Sequence, residues 1–273
     1  MVTMTFQEEI QLEPVNLARA ALRLSQEICY PELDLQRYLT QFEELASAAS
    51  PILSNEPNPL SQSEQLAHFL FQELGFLGNS AAYDDPRNSY LNEVLDRRLG
   101  IPITLSVIYL EIAARLDIPA QGIGLPGHFI VGIQTQAERL FLDPYHGGIH
   151  LSVIDCARLV EQSTGYSGPF QPEWLLPTRP AEILTRMLYN LRNVYIQQDN
   201  WRLACPVVEH LLALQPQNPD HLRDLGTIHR QNGSLRLAME YFQRYLALAP
   251  QADDARLVRR NLQETASRLN RLN

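Results

Sequence analysis

Between residues 188 and 250 the chain repeats with a period of 34: Leu188, Leu191, Tyr195, Ala204, Val208, Leu211 and Pro216 recur as Leu222, Leu225, His229, Ala238, Phe242, Tyr245 and Pro250. A unit of that length is one supersecondary element, too small to bury its own apolar face, so consecutive copies must stack. The apolar residues fall three and four apart, which is helical spacing, and each copy reads as two antiparallel helices. Ala204 and Ala238 sit where the paired helices approach, and Pro216 and Pro250 end the second helix of each pair. Residues 253–272 then read as one Arg-rich capping helix without a partner.

This pattern resembles the tetratricopeptide repeat, most strongly in the second copy, where Gly226 follows Leu225; in the first copy Arg192 takes that place. The resemblance implies a groove lined by the second, fifth, ninth and twelfth positions of each unit. Counted from Thr185 and Pro219, these include Arg186, Tyr189, Asn193, Arg223, Thr227 and Arg230. A guanidinium fork matches a carboxylate in geometry and charge, so the expected occupant is a protein partner or an acidic peptide.

Ahead of the repeats, residues 164–180 hold Gly165, Gly168, Pro169, Pro172, Pro177 and Pro180, a helix-breaking composition that reads as a linker. The expected division is therefore 1–178 and 179–273. Charge shifts at the same place: residues 1–180 carry 10 arginines against 22 acidic residues, a net −12, and residues 181–273 carry 12 against 9, a net +3. The overall −9 disfavours nucleic acid, which demands clustered cations. All 22 basic residues are arginine. No apolar run reaches the roughly 18 residues that span a bilayer, since Glu111 interrupts Ile101 to Leu116. Met1 to Gln11 has no basic stretch ahead of an apolar block, so a cytoplasmic protein is expected, with no membrane contact. Cys29, Cys156 and Cys205 are odd in number and far apart, which argues against disulfides and a zinc site.

In the front region, Leu17 to Cys29, Leu33 to Ala46 and Leu66 to Leu74 show helical spacing, and residues 76–90 read as a polar loop. Asn92 to Leu99 is a short helix with Gly100 expected at its C′ position. Pro102 fits the first turn of the next helix, where a missing N–H is harmless, and the nearly all-apolar Ile103 to Leu116 makes that helix central. Past Pro119 the period changes. Gly122 to Gly124, His128 to Ile133 and Leu140 to Asp143 predict a small antiparallel sheet, and Ser152 with Asp155 predicts a capping box for a last helix through Gln162.

Three stretches are the candidates for chemistry: Gly100 to Ser106, Gly127-His128-Phe129, and Phe141 to Tyr145. A buried helix start, then a histidine, then an aspartate is the order of a Cys-His-Asp hydrolase or acyl-transferase, in which the helix lowers a thiol's pKa, the imidazole takes its proton and the carboxylate orients the ring. Gly100 to Ala120 resembles the core signature of the transglutaminase-like superfamily, with His128 and Asp143 matching its histidine and aspartate. Its cysteine position falls on Pro102. A closer resemblance, over almost the whole chain, is to the SirB family, which joins a transglutaminase-like core to tetratricopeptide repeats. It rests on Tyr90 to Leu95, Arg98 to Ser106 with Tyr109-Leu110-Glu111, Pro126 to Phe129, Leu142-Asp143-Pro144, and Arg186 to Leu191.

The fold implied is an α+β, papain- and transglutaminase-like domain of N-terminal helices, a central buried helix and a small antiparallel sheet, followed by an all-α repeat domain of two units and a cap. Without a thiol the acyl-enzyme route has no attacking atom. The expected function is a non-catalytic adaptor or regulatory protein. The alternative is a hydrolase or peptidase using Ser106 or Thr104 with His128 and Asp143. Cys156 reads as a core residue. Asn92, Glu93, Arg98 and Tyr145 are expected to line the cleft. His146 and His150 have a suggestive spacing, but Gly147 and Gly148 between them oppose a common helix face, so no metal and no cofactor is expected.

Overall fold

A computed structural model describes residues 4–53, 58–135 and 139–272. The chain forms two compact units, residues 1–26 with 30–187, and residues 27–29 with 188–273.

The first unit opens with α1 (Phe6–Glu9), α2 (Leu17–Ile28) and α3 (Leu35–Leu53). Helix α4 (Pro59–Ala67) starts where the Asn58 side chain accepts from the Leu60 N–H, with Pro59 in the first turn, and runs on into a π-helical stretch, His68–Glu73. Next come β1 (Leu77–Gly78), α5 (Leu91–Arg97), β2 (Leu99–Gly100), α6 (Pro102–Arg115), β3 (Ala120–Ile123), β4 (Ile130–Gln134), β5 (Arg139–Asp143), β6 (Ile149–Leu151) and α7 (Val153–Thr164).

Helix α6 is the centre of this unit. Pro102 to Tyr109 is buried without interruption, and α3, α4, α5, β3 and β4 pack around it. Its first turn is closed by Thr104, whose hydroxyl accepts from the Ile101 N–H at 3.1 Å and shares its proton between the carbonyls of Asn88, at 2.8 Å, and Ile101. The expected C′ role of Gly100 falls instead to Arg98, the residue after α5, which adopts the left-handed conformation at φ 59°. Gly100 lies in β2, where a Cβ would come within 2.8 Å of the Thr104 hydroxyl. Steric space, not helix termination, is what requires glycine there.

Strands β3 to β6 form an antiparallel meander in sequence order, with Ile123 opposite Ile130, Val131 opposite Leu142, and Asp143 opposite Ile149. The expected three strands are present. The fourth, β6, is only three residues long, too short to carry an alternation signal. Strand β4 is buried from Ile130 to Ile133 because both faces are covered. Helix α6 packs on β3 and β4, and on the cluster side Ile123, Ile130 and Phe141 meet Cys156 and Val160 of α7.

Helix α7 begins at the predicted capping box, with the Asp155 N–H donating to Ser152 Oγ and the Ser152 N–H donating to Asp155 Oδ2. The stretch read as a linker is largely exposed but is anchored to the first unit. The Thr178 N–H donates to the Gly122 carbonyl at 2.8 Å, Pro177 pairs with Ile123 beside β3, and Phe170, Trp174 and Leu175 pack into the same cluster as Cys156. Its prolines block helix but leave an extended segment free to pair with a sheet edge.

Helix α8 (Pro180–Gln197) contains the division between the units at 187/188. The second unit continues as α9 (Trp201–Leu214), α10 (Pro219–Gln231), α11 (Leu235–Leu248) and α12 (Ala255–Leu272). Ala204 and Ala238 are fully buried, and Leu222, Phe242, Tyr245 and Val258 close the core around Ala238. Gly226 lets α10 approach the Phe242 ring, which a Cβ would strike. Among the described residues no helix is long and apolar enough to cross a membrane.

Candidate functional site

Asp143 ends β5 and is fully buried. Its Oδ1 accepts the backbone N–H groups of Tyr145, at 3.0 Å, and His146, at 3.4 Å, which caps the single turn Pro144–His146. Its Oδ2 meets His128 Nε2 at 2.9 Å and His146 Nδ1 at 2.7 Å. Burial alone would raise this carboxyl's pKa, but the hydrogen bonds from the two imidazoles outweigh it and hold the group at about 2. An ionised carboxylate only accepts, so both rings donate to it. His128 in its neutral form then keeps its lone pair on Nδ1. His146 is raised above the ordinary histidine range by its bond to Asp143, against its partial burial. The two imidazoles stack at 5.7 Å between centroids, and Tyr145 stands edge-on to His128 at 6.0 Å and to Tyr83 at 6.0 Å.

His128 sits outside the strand expected to carry it, at the end of a tight turn just before β4. The His128 N–H donates to the Leu125 carbonyl at 3.2 Å, with Pro126 and Gly127 between and Gly127 at φ +71°. That is a type II turn, which takes proline at its second position and needs glycine at its third. Arg186, from α8, holds the same turn at both ends: its Nη2 donates to the Leu125 carbonyl at 3.0 Å and to the His128 carbonyl at 2.8 Å. The guanidinium lies 5.3 Å over the Phe129 ring, and Gly124 leaves it room, since a Cβ there would stand 2.6 Å from Nη1. Burial lowers this guanidinium's pKa. Arg186, expected to face a partner in the repeat groove, has its side chain on the histidine's turn, a role with no sequence signal at 58 residues' separation.

Pro102 is buried in the first turn of α6 and offers neither a nucleophile nor an N–H. The Thr104 hydroxyl is committed to the helix start, and Ser106 Oγ is buried with no hydrogen-bond partner. Neither hydroxyl is bonded to His128. Cys156 is a fully buried member of the α7 cluster, and burial, reinforced by Asp155 and Asp143, pushes its thiol up to about 11. It is a core residue and no thiolate.

The residues grouped by sequence as one cleft are divided. Tyr145 adjoins His128. Asn92 and Glu93 line a different cavity, beside Tyr38 and Asp96. Arg98 donates to the Leu74 carbonyl. His150 turns to Glu64 at 3.4 Å, while the donor atoms of His128, Asp143 and His146 lie within 4.8 Å of one another, close enough to meet one cation. In the second unit, Cys205, Glu209 and His229 form a similar group.

The expected groove arginines of the second unit are already paired. Arg223 contacts Asp220 at 3.0 Å, Asp224 at 3.3 Å and Asp254 at 2.6 Å, and Arg230 reaches Asn261 at 3.0 Å and Glu264 at 3.5 Å. Tyr189 donates to Gln215, Asn193 accepts from Arg192, and the Thr227 hydroxyl donates to the Arg223 carbonyl.

A central helix with a small sheet, an imidazole pair on a buried aspartate, and stacked helix pairs define a transglutaminase-like domain followed by tetratricopeptide repeats. Family models agree: the transglutaminase-like superfamily matches residues 36–189 and the tetratricopeptide repeat matches 191–263. The chain is 36% identical over 260 residues to a UPF0162 protein of Xylella fastidiosa strain Temecula1, covering 92% of this chain and 90% of that one. It is 27% identical over 251 residues to a UPF0162 protein of Vibrio cholerae, covering 90% and 91%. It is 25% identical over 247 residues to the protein SirB1 of Salmonella typhimurium, covering 89% and 90%. The chain belongs to the transglutaminase-like superfamily and, within it, to the family of the UPF0162 and SirB1 proteins.

Proposed function

We propose that this protein is a non-catalytic adaptor, in which a transglutaminase-like domain without a nucleophile is joined to repeats that recruit a protein partner. The observation that carries the reading is Pro102 at the helix start where the family's thiol belongs, with the first unit's one cysteine, Cys156, sealed in the core and its thiol pushed up to about 11. Thr104 is taken up by helix capping, which weighs against it as a substitute. Tetratricopeptide repeats serve protein–protein interaction in general, and partner recruitment is the role assigned to them here. The arginines in the groove already face carboxylates of their own unit, so the partner need not be acidic; Tyr189, Asn193 and Thr227 supply neutral polar contacts. Three free thiols suit a reducing, cytoplasmic setting.

Ser106 is the one feature that favours a hydrolase, since its buried hydroxyl has no partner. The test is capture on immobilised full-length protein, wild type against Asn193→Ala/Thr227→Ala, read by mass spectrometry. Ester and amide turnover is measured in parallel on wild type, His128→Ala and Ser106→Ala. The adaptor reading expects a stoichiometric partner that the groove variant loses, with no turnover. Turnover abolished by both His128→Ala and Ser106→Ala would replace it with the hydrolase.

A further inference from the structure

Cys205 and Glu209 stand one turn apart on α9, so they share a face of that helix, and His229, in the last turn of α10, meets them there. Cys205 Sγ is 3.7 Å from Glu209 Oε1 and 3.8 Å from His229 Nε2, and the three donor atoms all lie within 4.8 Å of one another. None of the three belongs to the His128 site or to the expected groove residues.

Hydrogen bonding does not explain the convergence. A thiol is a weak donor with one proton, which serves only one of the two contacts at a time. The repeat does not demand the trio either. One period of 34 later the same three positions hold Met239, Gln243 and Gln263, and one period before His229 stands Tyr195, buried like it. The junction of α9 with α10 therefore carries three donor side chains that the stacking of helix pairs does not require.

The separations suit a metal ion. Zinc holds a thiolate at about 2.3 Å and an imidazole or carboxylate at about 2.0 to 2.1 Å, so at a tetrahedral angle the sulfur stands about 3.5 to 3.6 Å from each of the other two atoms. The 3.7 and 3.8 Å contacts of Cys205 are within about 0.3 Å of that requirement. Thiolate, imidazole and carboxylate are zinc's own ligand types. The His229 ring is held in plane by stacking on Tyr241, 5.3 Å between centroids and 7° from parallel. His229 is buried, Cys205 half-buried and Glu209 exposed, which gives an ordered inner wall and an open mouth through which an ion enters.

We propose that Cys205, Glu209 and His229 form a zinc site that fastens α9 to α10, with the fourth position open to water. On binding, the Cys205 thiol gives its proton to solvent and its sulfur bonds zinc as a thiolate, with no change of oxidation state. The usual sequence signal for zinc is a pair of cysteines, and a single cysteine with a glutamate one turn on and a histidine 24 residues away gives none, which is why the three scattered thiols read as arguing against such a site. The proposal stands apart from the adaptor reading and does not depend on the His128 site.

The test is titration of the reduced full-length protein with cobalt(II), read by absorbance. Cobalt bound to a thiolate gives a near-ultraviolet charge-transfer band, whereas cobalt held by His128, Asp143 and His146 has no sulfur and adds nothing to it. The band is expected to saturate at one cobalt per chain in wild type and in Cys29→Ser, and zinc, which such ligands bind more tightly, should bleach it. Cys205→Ser should lose the band. His229→Gln and Glu209→Ala should each weaken binding by more than about tenfold, since even a residue that only supports a metal ligand costs that much. Thermal melting of the metal-free variants separates lost binding from lost fold; should His229→Gln unfold, His229→Tyr replaces it, because Tyr195 fills the matching position one period earlier. No charge-transfer band in wild type, a band that survives Cys205→Ser, or a folded His229 or Glu209 variant with unchanged affinity would each overturn the proposal.

Discussion

Arg186 Nη2 lies 2.8 Å from the backbone carbonyl of His128, so the first residue of the sequence Arg-Met-Leu holds the turn that presents the histidine. The same nitrogen holds the Leu125 carbonyl at 3.0 Å, and the described residues place no carboxylate against this guanidinium. The His128 turn thus depends on a residue 58 positions later in the chain.

Replacing Arg186 with methionine removes two hydrogen bonds from a charged donor and strands two carbonyls. A loss of about 2 to 4 kcal/mol of stability is expected, measured by urea denaturation of the full-length protein. Arg186→Lys should recover only part of it, because an ammonium cannot reproduce the planar fork. A loss below about 0.5 kcal/mol, the scale of an ordinary surface change, would show that the clamp is idle.

The pH dependence of stability should have two edges, both traced to Asp143. Its folded pKa, about 2, lies below the ordinary 3.8, so its contribution is fully present above 3.8 and lost as pH falls through about 2. The His146 pKa is raised above 6.5, so its contribution is complete below 6.5 and lost as pH rises through the higher, folded value. Histidine NMR titration should therefore find His146 titrating above the ordinary range in wild type and returning toward it in Asp143→Asn. A His146 pKa equal in the two proteins would contradict the shared hydrogen bond.

Gly127→Ala should destabilise the protein by about 1 to 3 kcal/mol, since φ +71° is unfavourable for alanine and its Cβ would stand 2.6 Å from that of Ser163. Thermal melting checks this, and an unchanged midpoint would mean the turn relaxes freely.

Much of this arrangement was legible from residues that act locally. Pro102, the Ser152/Asp155 box and the 34-residue repeat each declare themselves within one turn or one period, and His128 and Asp143 stood out by their order along the chain. What failed to show depends on distant partners. Arg186 reads as a groove residue until Leu125 and His128 are folded beneath it, and the proline-rich 164–180 stretch reads as a linker until Gly122 offers its carbonyl to Thr178. His146 gave a spacing to His150, but the partner it takes is Asp143. Arg98 occupies a left-handed position usually filled by glycine, against local preference, with its side chain held by the Leu74 carbonyl.

If the missing thiol is the site's essential defect, Pro102→Cys should supply a reactive one. A cysteine in the first turn of α6 has the helix N-terminus to stabilise its thiolate, so its pKa is expected below the ordinary value of about 8.5. The difference in thiolate absorbance between Pro102→Cys and wild type, followed against pH, measures it, because Cys29, Cys156 and Cys205 are common to both proteins. An introduced thiol titrating at or above about 8.5 would show that this helix start is not built to activate a nucleophile.

Turnover of activated esters and incorporation of a fluorescent amine into a glutamine donor protein, compared between full-length wild type and His128→Ala, decide whether the transglutaminase-like domain is catalytic. An adaptor without a nucleophile leaves both proteins at the buffer background in both assays. Turnover by wild type that His128→Ala abolishes would contradict the adaptor reading and make the imidazole on Asp143 a working base.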